Sequence, residues 1–131
     1  MAMMRTTGLF TVLLALGAPA LFTASPVAAA PRALTMDERM ALRCGAAFAM
    51  VANGQAKGDP AMSGYPPLAV RGREFFVRLS AQLMDAAGLD EAGLKAAAEG
   101  EALALRRQRG LEGTMPFCLR VLDAQPGLPA R

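Results

Sequence analysis

Residues 35–51, with the sequence TMDERMALRCGAAFAMV, decide the fold class of this chain. Thr35 and Glu38 fit a capping box, because the Thr hydroxyl can accept from the third helical N–H while the Glu carboxylate reaches back to the cap. The apolar residues behind it recur at spacings of three and four, which is typical of an amphipathic helix. The sequence therefore predicts a first helix that ends at Gly54 or Gly58. Its buried stripe consists of Met36, Met40, Cys44, Ala47, Phe48 and Val51.

A second predicted helix begins at Pro67, since a proline at the first helical position has no N–H to satisfy. A loop rich in Gly and Pro, residues 58–66, precedes it. Gly88 is suited to end this helix in the left-handed conformation. Its buried stripe consists of Leu68, Gly72, Phe75, Phe76, Leu79, Leu83 and Ala86, and its polar side carries Arg71, Glu74 and Arg78, which are close enough to pair.

Asp90 is predicted to cap a third helix that starts at Glu91, and Glu91 can pair with Lys95 one turn later. Arg106, Arg107 and Arg109 lie at its end, where cations favour the helix dipole. The apolar positions of this helix are mostly small, so we expect it to be the least stable of the long helices. Those positions are Leu94, Ala98, Ala102 and Leu105.

The C-terminal part of the chain predicts a turn at residues 110–113, then a short helix from about Pro116 to Ala124 and a frayed tail. This last helix buries Phe117, Cys118, Val121 and Leu122. No stretch of the chain after residue 29 shows the sustained apolar and polar alternation of a sheet strand. The sequence therefore predicts a single all-α domain, residues 30–131, that resembles a small four-helix bundle.

Residues 1–29 have the pattern of a secretory signal peptide. Arg5 is followed by an apolar block and then by the small-x-small sequence Val27-Ala28-Ala29, so cleavage is expected after Ala29. An uncleaved membrane anchor is the alternative, because 26 residues without charge separate Arg5 from Arg32. The breaks at Pro19 and Pro26 favour cleavage. We expect a periplasmic or secreted protein with no stable membrane insertion after cleavage.

The charge of the exported chain is nearly balanced. Without Arg5 it has 13 basic residues against 11 acidic ones. The only basic cluster is residues 106–109, and no aromatic side chain interleaves it, which favours a solvated helix end over a nucleic-acid site. We therefore expect no nucleic-acid partner.

Cys44 and Cys118 are the only cysteines of the chain. In an exported protein with an even cysteine count, a disulfide is the default expectation, and only one pairing exists. The alternative is a redox-active pair, but such cysteines usually lie close together in electropositive surroundings. These two are far apart and lie beside apolar residues, so the sequence favours a structural bond.

The chain has no His, which excludes Ser-His-Asp and Cys-His catalysis and removes the commonest metal ligand. Neither a metal-ligand cluster nor a phosphate-binding Gly-rich loop is present, so we predict no metal, no cofactor and no enzymatic activity. The segment from Tyr65 to Val77 is the most distinctive one. It is either an ordinary helix start or a small binding surface that also includes Glu74, in which Tyr65, Arg71 and Arg73 receive an anionic or carboxylate partner.

Three blocks carry a family resemblance: residues 65–77, residues 43–48 around Cys44, and residues 115–119 around Cys118. Together they resemble small uncharacterised exported proteins of high-GC Gram-negative bacteria. The resemblance implies an exported location and a bond between Cys44 and Cys118, and it implies no chemistry. In architecture alone, the chain is similar to periplasmic acid-stress chaperones, which are small, helical and single-disulfide.

Two functional hypotheses follow. The first is a non-enzymatic binding or envelope-stress module with an unknown protein partner. An exposed apolar groove that uses Met36, Met40, Met62 or Met84 would support it, because Met-rich surfaces suit promiscuous partners. The second is a small enzyme or inhibitor, and a cleft on which Tyr65, Arg71, Arg73 and Glu74 converge would support that.

Overall fold

The computed structural model describes residues 30–127 of the chain, and these residues form four α-helices and no strand. The helices are α1, Met36–Ala56; α2, Arg71–Ala87; α3, Glu91–Gln108; and α4, Leu111–Asp123, with a one-turn 3₁₀ helix, Pro60–Met62, after α1. The all-α prediction is confirmed. The predicted signal peptide lies outside the described residues.

Helix α1 is the central element and contacts α2, α3 and α4. The predicted capping box is present: the Glu38 N–H donates to Thr35 Oγ1, and the Thr35 N–H donates to the Glu38 carboxylate. Every residue from Cys44 to Phe48 is buried, so this turn of α1 lies at the centre of the fold. The start is not, since Met36 remains 73% exposed. The helix continues through Gly54 and ends at Ala56, just before Gly58 turns the chain with a φ of 72°.

Arg32 ties the chain before α1 to the end of α2. Its backbone N–H donates to the Ala87 carbonyl and its guanidinium binds the Glu38 carboxylate with two hydrogen bonds of 2.7 and 2.8 Å. These bonds, together with the one from the Thr35 N–H, lower the pKa of Glu38 to about 2. Glu38 therefore remains ionised far into the acid range.

The prediction that α2 begins at Pro67 is wrong, because the helix starts at Arg71. Gln55 of α1 holds the preceding segment in a non-helical path. Its Nε2 lies 3.0 to 3.2 Å from the carbonyl oxygens of Met62, Tyr65 and Pro66, and its Oε1 accepts from the Leu68 N–H. The segment is therefore fixed by one side chain, and the helix forms only beyond it.

Helices α1 and α2 approach each other closely at Gly72. A Cβ at this position would lie 2.9 Å from Phe48 Cβ, so a side chain here would push the helices apart. The rings of Phe48 and Phe75 meet edge to face with centroids 5.3 Å apart. At the other end of α2, Gly88 takes the predicted left-handed conformation. Tight interlocking of large side chains thus joins α1 and α2.

Helix α3 begins as predicted, with Asp90 accepting a 2.7 Å hydrogen bond from the Gly93 N–H. Only Leu94 and Leu105 of this helix are buried. The expected pair of Glu91 with Lys95 is not formed among the described residues. Lys95 instead lies 3.9 Å from Glu99, and both side chains are largely exposed. Helix α3 therefore rests on fewer large side chains than its neighbours do.

The predicted turn at residues 110–113 is wrong, because α4 already begins at Leu111. The Gly110 N–H closes α3 on the Leu105 carbonyl, and the Gly110 carbonyl accepts from the Thr114 N–H of α4. Pro116 lies inside the helix. Because it has no N–H, the carbonyl of Glu112 loses one helical hydrogen bond, and Glu112 is exposed to solvent. The prediction that this helix starts at about Pro116 is therefore wrong, because the proline lies in its second turn.

The predicted disulfide is present. Cys44 of α1 and Cys118 of α4 are bonded, their Cα atoms are 5.2 Å apart, and neither is exposed to solvent. The bond closes a sequence separation of 74 residues, for which the chain-entropy relation gives about 4 to 4.5 kcal/mol as an upper value. It fastens the last helix to the central one.

Candidate functional site

The four side chains of the predicted binding surface are present, but Arg71 and Arg73 have different surroundings. Arg71 is 9% exposed and its Nη2 lies 3.0 Å from Asp123 Oδ1 at the end of α4. Arg73 is exposed and lines a shallow pocket with Phe76 on another side of α2. Successive helical residues are about 100° apart, so positions two apart point away from each other. A binding role for this set stays a prediction.

The remaining members of the set contribute little to a common cleft. The Tyr65 carbonyl accepts from Gln55, and the residue packs against the core. Glu74 forms no ion pair among residues 30–127, so the predicted pairing along α2 does not occur. Arg78 donates instead to the carbonyls of Pro126 and Gly127, and thereby holds the beginning of the predicted frayed tail against α2.

The four methionines named from the sequence do not form one groove. Met40 lines a pocket beside the disulfide with Phe117, which is 42% exposed and not buried as predicted. Met36 and Met84 are exposed on α1 and α2. Of the four, Met62 alone lies beside the groove described below, in an adjoining pocket. The methionine positions therefore predict exposed apolar surface but do not predict where a groove lies.

An open concave feature lies over α1, between α2 and α3, and is called here the α1–α3 groove. It is an open, mostly apolar trough of about 350 Å³. Pockets that bind small ligands have volumes of about 300–1,000 Å³ and are lined mainly by apolar side chains with a few polar ones. The groove is lined by Gly45, Ala46, Ala49, Met50 and Asn53 of α1, Phe76 of α2, and Ala98, Glu99, Ala102 and Arg106 of α3.

Small residues create the groove, because α1 and α3 face it with Gly and Ala where a core would have Leu. Leu42 lies on the same face of α1 one turn before Ala46, is 1% exposed and does not line the groove, so the groove does not extend as far as Leu42. Gly45 lets Phe76 reach across: a Cβ on Gly45 would lie 2.8 Å from Phe76 Cδ2. The result is a trough with a backbone floor and one aromatic wall.

The open end of the groove carries positive charge. Asn53 and Arg106 line both the groove and an adjoining pocket of about 230 Å³, which also contains Lys57 and Asp59. The side chains of Asn53, Lys57 and Arg106 make no hydrogen bond or ion pair with any described residue. Two cations and an amide are thus available to a ligand at the end where α1 and α3 both terminate.

The helical periodicity does not predict the groove, because it places Ala98 and Ala102 on a buried stripe of α3. A usable signal was present. Gly45, Ala49 and Asn53 are spaced by four on α1, and Ala98, Ala102 and Arg106 are spaced by four on α3. Each row runs from small apolar residues to a polar one. Two such rows on packed helices indicate a shallow surface with a polar end.

Comparison of the chain with protein-family models, with curated proteins and with solved structures found no match. Between Ala30 and Gly127, none of the helices combines the length and the hydropathy that a bilayer span requires. The same part of the chain contains no group of three or more His, Cys, Asp or Glu side chains arranged to hold a metal ion. Functional inference therefore rests on the geometry of the groove and on the disulfide.

Proposed function

We propose that this protein is an exported, non-enzymatic binding protein whose α1–α3 groove takes up apolar ligands. The observation that carries the proposal is the groove itself, an apolar trough of about 350 Å³ built on the rigid central helix. Ala49 on its floor is exposed, although apolar side chains surround it. Concave apolar surface of this kind is the usual form of a ligand site.

The proposed location is the periplasm or the extracellular space. It is supported by the signal-peptide pattern of residues 1–29 and by the bond between Cys44 and Cys118, because disulfides persist mainly in oxidising compartments. An envelope-stress role is one setting for such a protein. It would require the domain to keep apolar material in solution without covalent chemistry.

An environment-sensitive apolar dye tests the proposal. We expect the mature chain, residues 30–131, to bind the dye and Ala49→Phe to weaken binding, because the added ring fills the floor of the groove. A ligand that loses about 60 Å² of apolar contact loses about 1.5 kcal/mol, or about tenfold in affinity. Ala96→Phe is the matched control, since Ala96 is exposed on α3 and does not line the groove. Equal affinities of the two variants, or no dye binding, would contradict the proposal.

A further inference from the structure

We propose that the α1–α3 groove binds a monomeric single-chain amphiphile with an anionic head group, such as a long-chain carboxylate. The apolar chain lies along Gly45, Ala49, Phe76 and Ala98, and the head group lies between Arg106 and Lys57. This inference rests on the proposed function and adds the chemical class of the ligand.

The dimensions of the groove favour one extended chain over a protein segment. A helical segment of ten residues, with a diameter of about 10 Å and a length of about 15 Å, occupies roughly 1,200 Å³. The open trough holds about 350 Å³, so it could accept only one side of such a segment, whereas it has room for an extended alkyl chain. An alkyl chain carries no backbone polar groups, so it needs no partners on a lining of Gly, Ala and Phe.

The charges at the open end favour an anion. Arg106 and Lys57 line it together with the Asn53 amide, and no described residue engages these three side chains. Two carboxylates also face this region. Glu99 lies 3.9 Å from Lys95. Asp59 keeps its charge while its Oδ1 accepts from the Ala61 N–H, so Lys57, Arg106 and Asp59 together give the adjoining pocket one net positive charge.

The ends of α1 and α3 provide a second role for the same cations. A helix C-terminus carries partial negative charge, and Lys57 and Arg106 compensate it. Compensation alone explains why basic residues are found there. It does not explain why Arg106 lines the apolar groove and Lys57 lines the pocket that adjoins it, with the unengaged amide of Asn53 lining both. A ligand test separates the two roles, because only a binding site discriminates between head groups on the same chain.

Displacement of the apolar dye by three amphiphiles of equal chain length provides that test. Dodecanoate, dodecanol and dodecyltrimethylammonium are compared as monomers on the disulfide-bonded mature protein. We expect dodecanoate to bind about tenfold more tightly than dodecanol, a factor equal to about 1.4 kcal/mol, and the ammonium compound to bind weakest. The preference for dodecanoate should fall with added salt, because the cations are exposed.

Paired charge variants locate the head group. Lys57→Gln with Arg106→Gln should reduce dodecanoate binding far more than dodecanol binding, so the ratio of the two affinities should fall from about tenfold toward one. Arg39→Gln with Arg107→Gln removes the same net charge from exposed positions outside the groove and should leave the preference in place. Equal losses in both double variants would overturn the inference, since the effect would then be one of net charge.

Other outcomes separate this inference from the function on which it rests. Equal displacement by all three amphiphiles overturns the anionic class and leaves an apolar binding protein. Failure of every amphiphile and of the dye to bind overturns both proposals. Binding of phosphatidylglycerol vesicles or of an acidic amphipathic helical peptide, without binding of monomeric dodecanoate, also overturns the inference, because the occupant would then be a membrane surface or a protein.

Discussion

The two faces of α1 are built in opposite ways. One face carries Cys44, Phe48 and Val51, which are fully buried against α2 and α4 and are held by the disulfide. The other carries Ala46 and Ala49 below an open trough beside α3. The first face fills space with large side chains and the second leaves space open with small ones. A domain of this size can therefore keep an open groove on one face of its central helix while the other face is packed and held by the disulfide.

The largest effect should come from breaking the fixed face at the disulfide. Cys44→Ala with Cys118→Ala is expected to lower the free energy of unfolding by about 4 kcal/mol, because the unfolded chain regains the entropy of a loop of 74 residues. Urea denaturation of the oxidised protein and the double variant measures this loss. Reduction of the unaltered protein is the control, and a loss below about 1 kcal/mol would show that the bond is not a main source of stability.

The next effect should come from the close contact of α1 with α2. Gly72→Ala places a Cβ 2.9 Å from Phe48 Cβ, and neither atom belongs to a flexible side-chain end. We expect destabilisation by about 1–3 kcal/mol, as for other overpacked cores. Thermal and urea unfolding measure it, and a stability equal to that of the unaltered protein would show that the two helices separate easily.

The same substitution at an exposed glycine of α3 should have the opposite sign. Gly100 lies in the middle of α3, and a Cβ there would have no atom within 4 Å. Gly100→Ala is therefore expected to stabilise the protein by about 0.5–1 kcal/mol through helix propensity alone. The unfolding midpoints of Gly72→Ala and Gly100→Ala are measured side by side. Destabilisation by both variants would contradict the difference in packing between the two positions.

The smallest effect concerns acid. The pKa of Glu38 falls from 4.5 to about 2 on folding, so its bond with Arg32 favours the folded state at any pH above the unfolded value. This contribution is retained from neutral pH to about 4.5 and is lost as the pH falls toward 2. The difference in melting temperature between the unaltered protein and Glu38→Gln should be constant above pH 5 and shrink below it. A difference that grows in acid would contradict the pairing.

Local signals at helix ends were sufficient to predict much of the fold. Thr35, Gly88 and Asp90 act through neighbours in sequence, and the cysteine count allowed only one bond. The start of α2 could not be predicted, because it depends on Gln55, which acts across the loop. Pro116 was ambiguous, since a proline is tolerated in an early turn of a helix whenever the carbonyl it deprives faces water.

The groove was harder to predict for a different physical reason. An alanine on an amphipathic helix satisfies a buried stripe and an open trough equally well, so Ala98 and Ala102 carry no sign of which they line. Part of α1 stays uncovered because α2, with Phe76, and α3 pass on either side of it. The four residues expected to form a site lie on α2 and before it, where local sequence is distinctive, whereas the groove arises from three helices together.

Backbone amide shifts of the mature protein, followed by NMR during titration with dodecanoate, show directly whether the amphiphile binds in the α1–α3 groove. We expect saturable shifts that cluster on the groove, at Gly45, Ala49, Ala102 and Arg106, while the shifts of the α4 amides around Cys118 stay unchanged. Shifts centred on the exposed Phe117 beside the disulfide, or spread evenly over all four helices, would contradict binding in the groove.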